Sequence, residues 1–449
     1  MLSSGDTAVA TGAAATQARP AAGATRSRPP AGAAGSAERV GIGAATTARR
    51  RRNLRVAMVH ISDFRLDSRI QRQARALAER GDEVDLVCVG AREELRVGAG
   101  TIRVHPVAEE KASGGASAYL RDYGRFLVRA LWRVTALDAR RRYDLVEIHN
   151  MPDLLTLAAL GPRLRGTPVI LNMHDTFPEL FATKYGRPEG DRLEWLLEVE
   201  ERLSAKLASR VVTVTEHARR RVEGRGVGVG RTTIVMNSPD ERVFGPPRAP
   251  LALPAEGPLR VLYHGGLAPR FGVQTLIEAW AHVREPRLQL RVCGSGEDRD
   301  RLAALAARIA PERIDVSPQP VPFELIPAEL ERAHIGVVPT LHDRFTELLL
   351  PVKLLEYVHM GLPAVASRLP GIAGYFSAGE LCEFTAGDPA DLARALEAVC
   401  ANPAAARERA ARATLRLSQI AWERQRARYL ALVDELTGRA GAASGGRRT

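Results

Sequence analysis

The sequence predicts an α/β protein built from two doubly wound domains that face each other across a ligand cleft. From Leu54 onward, short apolar runs alternate with helical patterns, which is typical of parallel β-α units. The pattern stops at residues 245–258, which contain five prolines, and starts again at Leu259. A proline-rich stretch between two copies of one pattern indicates an interdomain linker. Ligands of such folds bind outside the carboxyl ends of the strands.

Five candidate strands and the helices between them make up the first predicted domain, residues 53–247. These strands are Leu54–His60, Glu83–Val89, Tyr143–Ile148, Pro168–Met173 and Val211–Thr215. The second predicted domain, residues 258–415, repeats the pattern with the strands Leu259–Tyr263, Leu288–Cys293, Ile335–Pro339, Ala364–Ser367 and Leu381–Phe384. A last helical pattern covers residues 403–437.

Two arginine-rich tails account for most of the excess positive charge. Residues 1–52 carry eight arginines against two acids, and residues 440–449 add two more arginines. Eight of the twelve formal positive charges therefore lie in segments rich in alanine, glycine and arginine. We expect these tails, residues 1–52 and 438–449, to be disordered. The remaining chain is only mildly basic, so we expect no nucleic-acid partner.

The cysteine spacing and the apolar runs restrict the class of protein. The four cysteines lie far apart, without the spacing of a disulfide framework or a zinc site; they are Cys88, Cys293, Cys382 and Cys400. No apolar run reaches membrane-spanning length, and the N-terminus lacks the apolar segment of a signal peptide. We therefore expect a cytoplasmic protein without a bound metal.

Residues 345–367 contain the clearest ligand-binding pattern. Pro351 is placed to begin a helix, and a glycine ten residues later is placed to end it. Lys353 and Glu356 lie three residues apart and share one face near the start of this helix. An ammonium group and the helix amides attract phosphate, and a carboxylate accepts hydrogen bonds from a diol. A nucleotide sugar has both groups.

Glycine-rich turns after two strands of the second domain offer a further place for phosphate. Glycines let the main chain approach a ligand, and an arginine at a helix entrance can clamp a diphosphate. The alternative is a tight turn with a surface arginine. Residues 321–325 are candidates for holding the base. The candidate donor ligands in the two turns are Gly265, Gly266, Arg270, Gly294 and Gly296.

Polar side chains also follow strands of the first domain. His174 and Asp175 end one predicted strand, and His149 and Asn150 end the strand before it. Doubly wound folds place their chemistry at such positions, although a histidine there can also serve only a local hydrogen bond. Asp67 precedes the first helix, where it fits either an acceptor ligand or a helix N-cap.

Residues 118–142 combine an arginine stripe with aromatic residues. Arginines recur at steps of four, beside Tyr119, Tyr123, Phe126 and Trp132. Such a helix can lie on a membrane surface, or it can be an ordinary amphipathic helix with a solvated face. The first interpretation predicts a peripheral contact with the inner face of the plasma membrane.

Four of these motifs together resemble family-4 glycosyltransferases, which have the two-domain GT-B fold. The similarity is greatest to the bacterial branch that acts in surface-polysaccharide synthesis, and it extends from Leu54 to the final helix. The motifs are H-N-M-P-D at 149–153, H-D-T-F-P-E at 174–179, H-G-G-L-A-P-R-F-G at 264–272 and P-V-K-L-L-E-Y-V-H-M-G at 351–361.

The resemblance implies a role for each matching residue. Arg270 and Lys353 would neutralise the departing diphosphate, Glu356 would bind the ribose, and His174 would lie beside the donor sugar. Such enzymes transfer a sugar from a nucleotide-diphosphate sugar to a glycan, lipid or small-molecule acceptor. They retain the configuration and need no metal, because cationic side chains and helix amides replace it. A final helix, expected at residues 416–437, would cross back to the first domain.

The chain departs from the family pattern at three places. The family has two glutamates separated by seven residues, and the position of the first holds Leu348, with Glu347 beside it. We therefore expect either Glu347 or main-chain amides to contact the sugar. The family's arginine and lysine after the first strand of the second domain fall at Gly266 and Phe271, so Arg270 would replace both. The first β-α loop lacks the usual glycine pair.

Two other classes of function remain open from the sequence. A nucleotide-sugar epimerase shares the architecture but needs more acid-base side chains than the cleft motifs supply. A non-catalytic nucleotide-sugar-binding or scaffold protein would explain the missing first glutamate, although the four intact positions Lys353, Glu356, Arg270 and His174 argue against it.

Overall fold

An eight-stranded sheet forms the N-terminal half of the fold. A computed structural model describes residues 52–109, 116–227, 229–322 and 325–439, so the predicted tails lie almost wholly outside the described residues. The strands are β1 (Arg55–Asp63), β2 (Glu83–Val89), β3 (Glu93–Val97), β4 (Gly100–Ala108), β5 (Leu145–His149), β6 (Val169–Met173), β7 (Arg210–Thr213) and β8 (Thr232–Ile234). Their order is β3-β4-β2-β1-β5-β6-β7-β8, and only the β3–β4 pair is antiparallel.

Helices cover both faces of this sheet. The helices of the first half are α1 (Ser68–Glu79), α2 (Ala116–Arg140), α3 (Leu160–Leu164), α4 (Phe177–Tyr185), α5 (Arg192–Leu207), α6 (Glu216–Gly224) and α7 (Glu241–Phe244). The core on one face includes Ile70 and Leu77 of α1. The core on the other face includes Phe126 of α2 and Ala205 of α5. The sheet is therefore doubly wound, as predicted.

A six-stranded parallel sheet forms the second half. Its strands are β9 (Leu259–Gly266), β10 (Leu288–Ser295), β11 (Ile314–Val316), β12 (Ile335–Val338), β13 (Ala364–Ser367) and β14 (Cys382–Phe384). Their order is β11-β10-β9-β12-β13-β14. The surrounding helices are α8 (Val273–Ala279), α9 (Arg299–Ile309), α10 (Ile326–Arg332), α11 (Val352–His359), α12 (Pro370–Ala373), α13 (Pro389–Ala401) and α14 (Pro403–Ser418). In both sheets the strand order reverses beside the first strand, which is where such folds bind ligands.

The final helix, α15 (Trp422–Leu436), packs against the first domain and confirms the predicted crossing. Trp422 and Tyr429 are buried in the core that contains α1, and Asp434 forms an ion pair of 2.8 Å with Arg80. The pattern predicted at 403–437 is two helices rather than one. The chain breaks at residues 419–421. In the first turn of α15, Gln425 accepts a hydrogen bond of 3.1 Å from the amide of Met236.

The helix predicted to begin at Pro351 is α11, with Pro351 as its N-cap residue. Gly361 follows the helix with a φ of +72°, and a Cβ atom there would lie 2.3 Å from the carbonyl oxygen of Ala249. A side chain at this position would therefore both strain the main chain and collide with the linker. The glycine fixes where the helix ends and how β13 begins.

Helix α2 presents an apolar face to the sheet and a mixed face to solvent. Tyr123 and Phe126 are buried, so these aromatic residues belong to the core and not to an outer surface. Val128 and Trp132 are about two-thirds exposed, at 66% and 68%, beside the exposed Arg125. No helix in the described ranges has the length and apolar character needed to cross a membrane.

Candidate active site

The predicted glycines meet at the carboxyl ends of β9 and β10. Gly265 pairs with Gly294 in the parallel register, and a Cβ atom at Gly294 would lie 2.5 Å from the carbonyl oxygen of Gly265. Gly265 has a φ of +121°, and a Cβ atom there would lie 2.9 Å from the Nζ atom of Lys353. Gly266 and Gly296 leave similarly little room, beside Phe271 and Leu267. These glycines bring bare main chain up to the lysine.

Lys353 projects from the first turn of α11 toward β9. Its ammonium group donates a hydrogen bond of 2.8 Å to the hydroxyl of Tyr263 and lies 3.9 Å from the centre of the same ring. Burial lowers the pKa of Lys353 to about 7, while the nearby charge of Glu356 acts in the opposite direction. Within the described chain Lys353 forms no ion pair, and the carboxylate of Glu356 lies against His264 instead. An anionic ligand would therefore find an available cation.

Glu356 lies one helical turn further along α11 and is 4% exposed. Its Oε2 atom is 3.2 Å from Nε2 of His264. Burial raises the pKa of Glu356 to about 7, and the positive charges of Arg72 and Lys353 lower it. Arg72 belongs to α1 of the first domain, so its charge reaches Glu356 from across the cleft.

Arg270 occupies a short 3₁₀ turn, Pro269–Phe271, directly after β9. Its guanidinium carbon lies 5.0 Å from the ring centre of Phe271 and 5.9 Å from that of Phe345. Its Nε atom is buried without a hydrogen-bond partner in the described chain. An arginine held by aromatic rings and left with an unused donor is suited to bind two oxygens of a phosphate group through its planar guanidinium.

His174 and His149 stand side by side at the carboxyl ends of β6 and β5. Nε2 of His174 lies 3.0 Å from Nδ1 of His149, and the two rings are nearly parallel, at 8°. Asn150 accepts the main-chain N–H of His174 at 2.9 Å and donates to the carbonyl of Asp175 at 2.8 Å. The structure therefore brings these four predicted residues together in one polar cluster.

Asp67 is the N-cap residue of α1, and its side chain accepts the N–H of Arg69 at 3.0 Å. The same carboxylate forms an ion pair of 2.8 Å with Arg69 and lies 3.4 Å from His60. Arg69 in turn lies 3.7 Å from Asp175. Asp67 thus has the capping role, and Arg69 joins it to the histidine cluster. Its predicted acceptor role stays a prediction.

Glu347 pairs with a residue outside the predicted donor cluster. Its carboxylate is one-third exposed and 3.7 Å from Nε2 of His342, and no hydrogen bond or ion pair joins it to Lys353, Glu356 or Arg270 in the described chain. The neighbouring Leu348 is buried, and its carbonyl accepts a hydrogen bond of 2.9 Å from the hydroxyl of Thr215. The main chain at this position is therefore fixed by the first domain.

Several site residues were not predicted from the sequence. Tyr263 and His264 immediately precede the predicted glycines, and an aromatic residue next to a phosphate loop could have indicated a partner for the lysine. His60 ends the strand predicted at Leu54–His60, although β1 continues to Asp63. It follows Val59, which pairs with Ile148 of β5, so its ring lies 6.2 Å from that of His149. No sequence pattern pointed to Arg72, because its electrostatic interaction with Glu356 depends on how α1 is oriented toward the second domain.

Two further predictions concern the base pocket and the absence of a metal. Phe323 and Glu324 of the candidate base segment, residues 321–325, lie outside the described residues. Within the described ranges, no three histidine, cysteine or acidic side chains gather in a way that could hold a metal ion. Transfer without a metal stays a prediction.

Two doubly wound domains with a cationic, glycine-lined pocket facing a histidine cluster define a glycosyltransferase of the GT-B fold. Residues 66–238 match the glycosyl transferase 4-like domain, and residues 258–402 match the glycosyl transferases group 1. The two matched ranges cover most of the folded chain. The protein belongs to the family-4 glycosyltransferases, which confirms the predicted family, fold and enzyme class.

Individual relatives agree with this family. The chain is 28% identical to glycogen synthase of Mycobacterium tuberculosis over 319 residues, which are 67% of this chain and 71% of that enzyme. Sucrose-phosphate synthase from Thermosynechococcus elongatus has a similar structure, with a TM-score of 0.67, 18% identity and coverage of 86% and 100% of the two chains. Anabaena HepE, solved with UDP and glucose, gives a TM-score of 0.63, 13% identity and coverage of 85% and 100%.

Proposed function

We propose that the enzyme takes its sugar from a nucleoside-diphosphate sugar bound against β9 and α11. The observation that carries the proposal is the pocket formed by Gly265, Lys353, Glu356 and Arg270. Bare main chain and two cations suit a diphosphate, and the buried carboxylate suits the hydroxyls of a ribose. The structural similarity to HepE, which was solved with UDP and glucose, supports a donor of this class.

Lys353 and Arg270 would act on the leaving group. Charge builds up on the diphosphate as the bond to the sugar breaks, and cations that are already in place stabilise that charge without reorganisation. Both cations come from the second domain, on one side of the cleft. This arrangement supports transfer without a metal, because the protein itself supplies the positive charge that a divalent ion would otherwise provide.

The first domain would hold the sugar and the acceptor. His174 lies at the carboxyl end of β6, where it would accept or donate a hydrogen bond to a sugar hydroxyl. His149, Asn150 and Asp175 would line the adjoining acceptor side. We infer a glycan or lipid-linked acceptor and retention of configuration, as in the bacterial polysaccharide branch that the motifs resemble.

Paired lysine and arginine variants test the donor pocket. Lys353→Ala and Arg270→Ala should each lower kcat/KM at least about 100-fold, as loss of a charge-stabilising group does. Lys206→Ala and Arg308→Ala remove exposed cations and serve as matched controls. Wild-type rates in both pocket variants would refute the diphosphate assignment.

A thermal-shift panel of nucleotide sugars identifies the donor. A ligand present at 100 times its Kd stabilises the folded protein by about 2.7 kcal/mol, which is a shift of several degrees. The Lys353→Ala variant should lose the shift that the best donor produces in the wild type. A panel without any shift would favour the scaffold function over the transferase.

The outer surface of the first domain would contact the inner face of the plasma membrane. Helices α2 and α5 cover the same face of the sheet, and their outward apolar side chains are accompanied by arginines. Leu164 on α3 is 79% exposed and stands between Arg163 and Arg165. Exposed apolar residues flanked by cations suit an anionic lipid surface. The exposed large apolar residues in the described part of α2 and in α5 are Val128, Trp132, Leu193, Trp195, Leu196 and Leu203.

Flotation with liposomes tests the membrane contact. The protein should float at low salt with vesicles that contain phosphatidylglycerol, and less with pure phosphatidylcholine. The double variant Trp132→Ser, Leu164→Ser should stay at the bottom of the gradient, whereas Leu415→Ser, which changes a 69% exposed leucine on α14, should float. Failure of the wild-type protein to float with anionic vesicles would exclude this contact.

A further inference from the structure

A buried chain of polar contacts connects the crossover helix to the cleft histidine. The hydroxyl of Tyr429 on α15 donates a hydrogen bond of 2.6 Å to Oε1 of Glu147, and Asn172 donates to Oε2 at 3.2 Å. Nε2 of His149 lies 3.9 Å from the same Oε2 atom. Nδ1 of His149 lies 3.0 Å from Nε2 of His174. The first four side chains are completely buried, so bulk water does not take part.

The position of one proton decides which of the two histidines donates the hydrogen bond between them. Burial lowers the pKa of His149 to about 3 and that of His174 well below its ordinary value. Both rings are therefore neutral, and each carries one N–H and one lone pair. The nitrogen of His149 that carries hydrogen consequently determines which nitrogen of His174 does so.

We propose that Glu147, held by Tyr429, sets the tautomer of His149 and thereby leaves Nδ1 of His174 as a hydrogen-bond acceptor for a sugar hydroxyl. A carboxylate favours an N–H on the nitrogen that faces it, which is Nε2 of His149. Nδ1 of His149 then accepts the Nε2–H of His174. The proposal rests on the proposed function, which places His174 beside the donor sugar. Glu147 and Tyr429 are positioning residues.

The carboxylate form of Glu147 depends on its hydrogen bonds. Burial raises the pKa of Glu147 to about 7, whereas the hydrogen bonds from Tyr429 and Asn172 and the charge of Arg80 lower it. Removing the tyrosine hydroxyl therefore raises this pKa further, because a donor to the charged form is lost. The charged and titratable groups around His149 on its other side are His60, Asp67 and Arg69.

The tautomer can be observed directly. Nitrogen-15 NMR of histidine-labelled protein distinguishes Nε2–H from Nδ1–H rings, and a His149→Gln sample assigns the signal. We expect the Nε2–H form at His149 in the wild type at pH 8, and a change toward Nδ1–H in Glu147→Gln. An Nδ1–H ring in the wild type would overturn the proposal.

The pH dependence of kcat at saturating donor gives the functional test. In Tyr429→Phe, the rise of kcat with pH should occur about one pH unit higher than in the wild type; this rise is the ascending limb of the profile. Glu147→Gln should lower kcat about tenfold with the donor KM unchanged. Val433→Ala disturbs the packing of the same helix in the same core, so it should lower Tm but leave the limb in place. A limb that does not move in Tyr429→Phe, or that moves equally in Val433→Ala, overturns the proposal.

His174→Ala separates this proposal from the function on which it rests. If this variant loses turnover while Glu147→Gln and Tyr429→Phe behave as wild type, His174 keeps its role and only the positioning chain is wrong. If His174→Ala retains wild-type kcat and donor KM, the assignment of the sugar site is wrong, and the positioning proposal fails with it.

Discussion

Donor affinity should fall as the pH rises from 7 to 9, because the cation predicted to hold the diphosphate loses its proton in that range. Burial lowers the pKa of Lys353 to about 7 in the empty protein. The protein interior penalises the charged form of a lysine, and the nearby charge of Glu356 offsets only part of that penalty. A diphosphate provides the missing counter-charge and therefore binds the protonated form.

The expected size of the effect follows from this pKa. About half of the enzyme molecules carry the ammonium at pH 7, and about one in a hundred at pH 9. If only the ammonium form binds, the Kd for a nucleoside diphosphate rises about 50-fold over these two pH units. The ligand contributes little to this change, because the second pKa of a phosphate is about 6 and its charge is nearly constant above pH 7.

Calorimetric titration between pH 7 and 9 measures this Kd, with the nucleoside diphosphate of the donor that gives the largest thermal shift. The pH profile of kcat/KM should follow the same curve, because it reports groups of the free enzyme. Lys353→Arg is the control: its side chain keeps its charge throughout this range, so its affinity should not fall. A constant Kd in the wild type, or an equal fall in Lys353→Arg, would refute the reasoning.

Two further predictions concern packing and buried charge. Gly265→Ala should lower kcat/KM more than tenfold, because the new Cβ would lie 2.9 Å from the ammonium of Lys353. The control is Gly166→Ala, which also changes a glycine at positive φ but has open space around it, so it should only lower Tm. Glu200→Gln should raise Tm at pH 8 by a few degrees. Burial raises the pKa of Glu200 from 4.5 to about 8. The protonated carboxyl therefore makes its full contribution to folding stability below pH 4.5, and this contribution is lost as the pH rises through 8. The exposed control Glu408→Gln should leave the thermal unfolding curve unchanged.

Local sequence patterns were enough to predict most of the inner strands and the donor helix. β2 and β13 have the predicted bounds, since each is a fully apolar or alternating run bounded by turn residues. The edge strands β3, β8 and β11 and the inner strand β4 escaped prediction. β3 lies at the sheet edge, and its side chains alternate between exposed and half-buried, so its sequence contains too few apolar residues to indicate a strand.

The donor half of the site could be predicted because its residues are close in sequence and lie on one helix or one turn. Lys353 and Glu356 share a helix face, and the glycines follow directly after their strands. The contacts between distant segments could not be predicted. Tyr429 meets Glu147 across 282 positions of the chain, and only the way the crossover helix packs on the first sheet brings them together.

Restoring the family's first glutamate with Leu348→Glu should destabilise the enzyme instead of improving it. Leu348 is 7% exposed, and its main chain is held by the hydroxyl of Thr215 in the first domain. An unpaired carboxylate at this position would cost several kcal/mol, so thermal unfolding should show a large fall in Tm. Leu415→Glu, on an exposed site, is the matched control.

Variants of Glu347, the residue next to Leu348, test whether this carboxylate makes the sugar contact of the family's first glutamate. Glu347 is the carboxylate that the chain offers near this position, and its side chain is one-third exposed and without a strong partner. If Glu347 contacts the sugar, Glu347→Gln should reduce turnover about 100-fold with little change in Tm, while Leu348→Ala should reduce stability more than turnover. Equal turnover in Glu347→Gln and the wild type would mean that another part of the cleft holds the sugar, because the main-chain amides of Glu347 and Leu348 already donate to the carbonyls of Asp343 and Phe345.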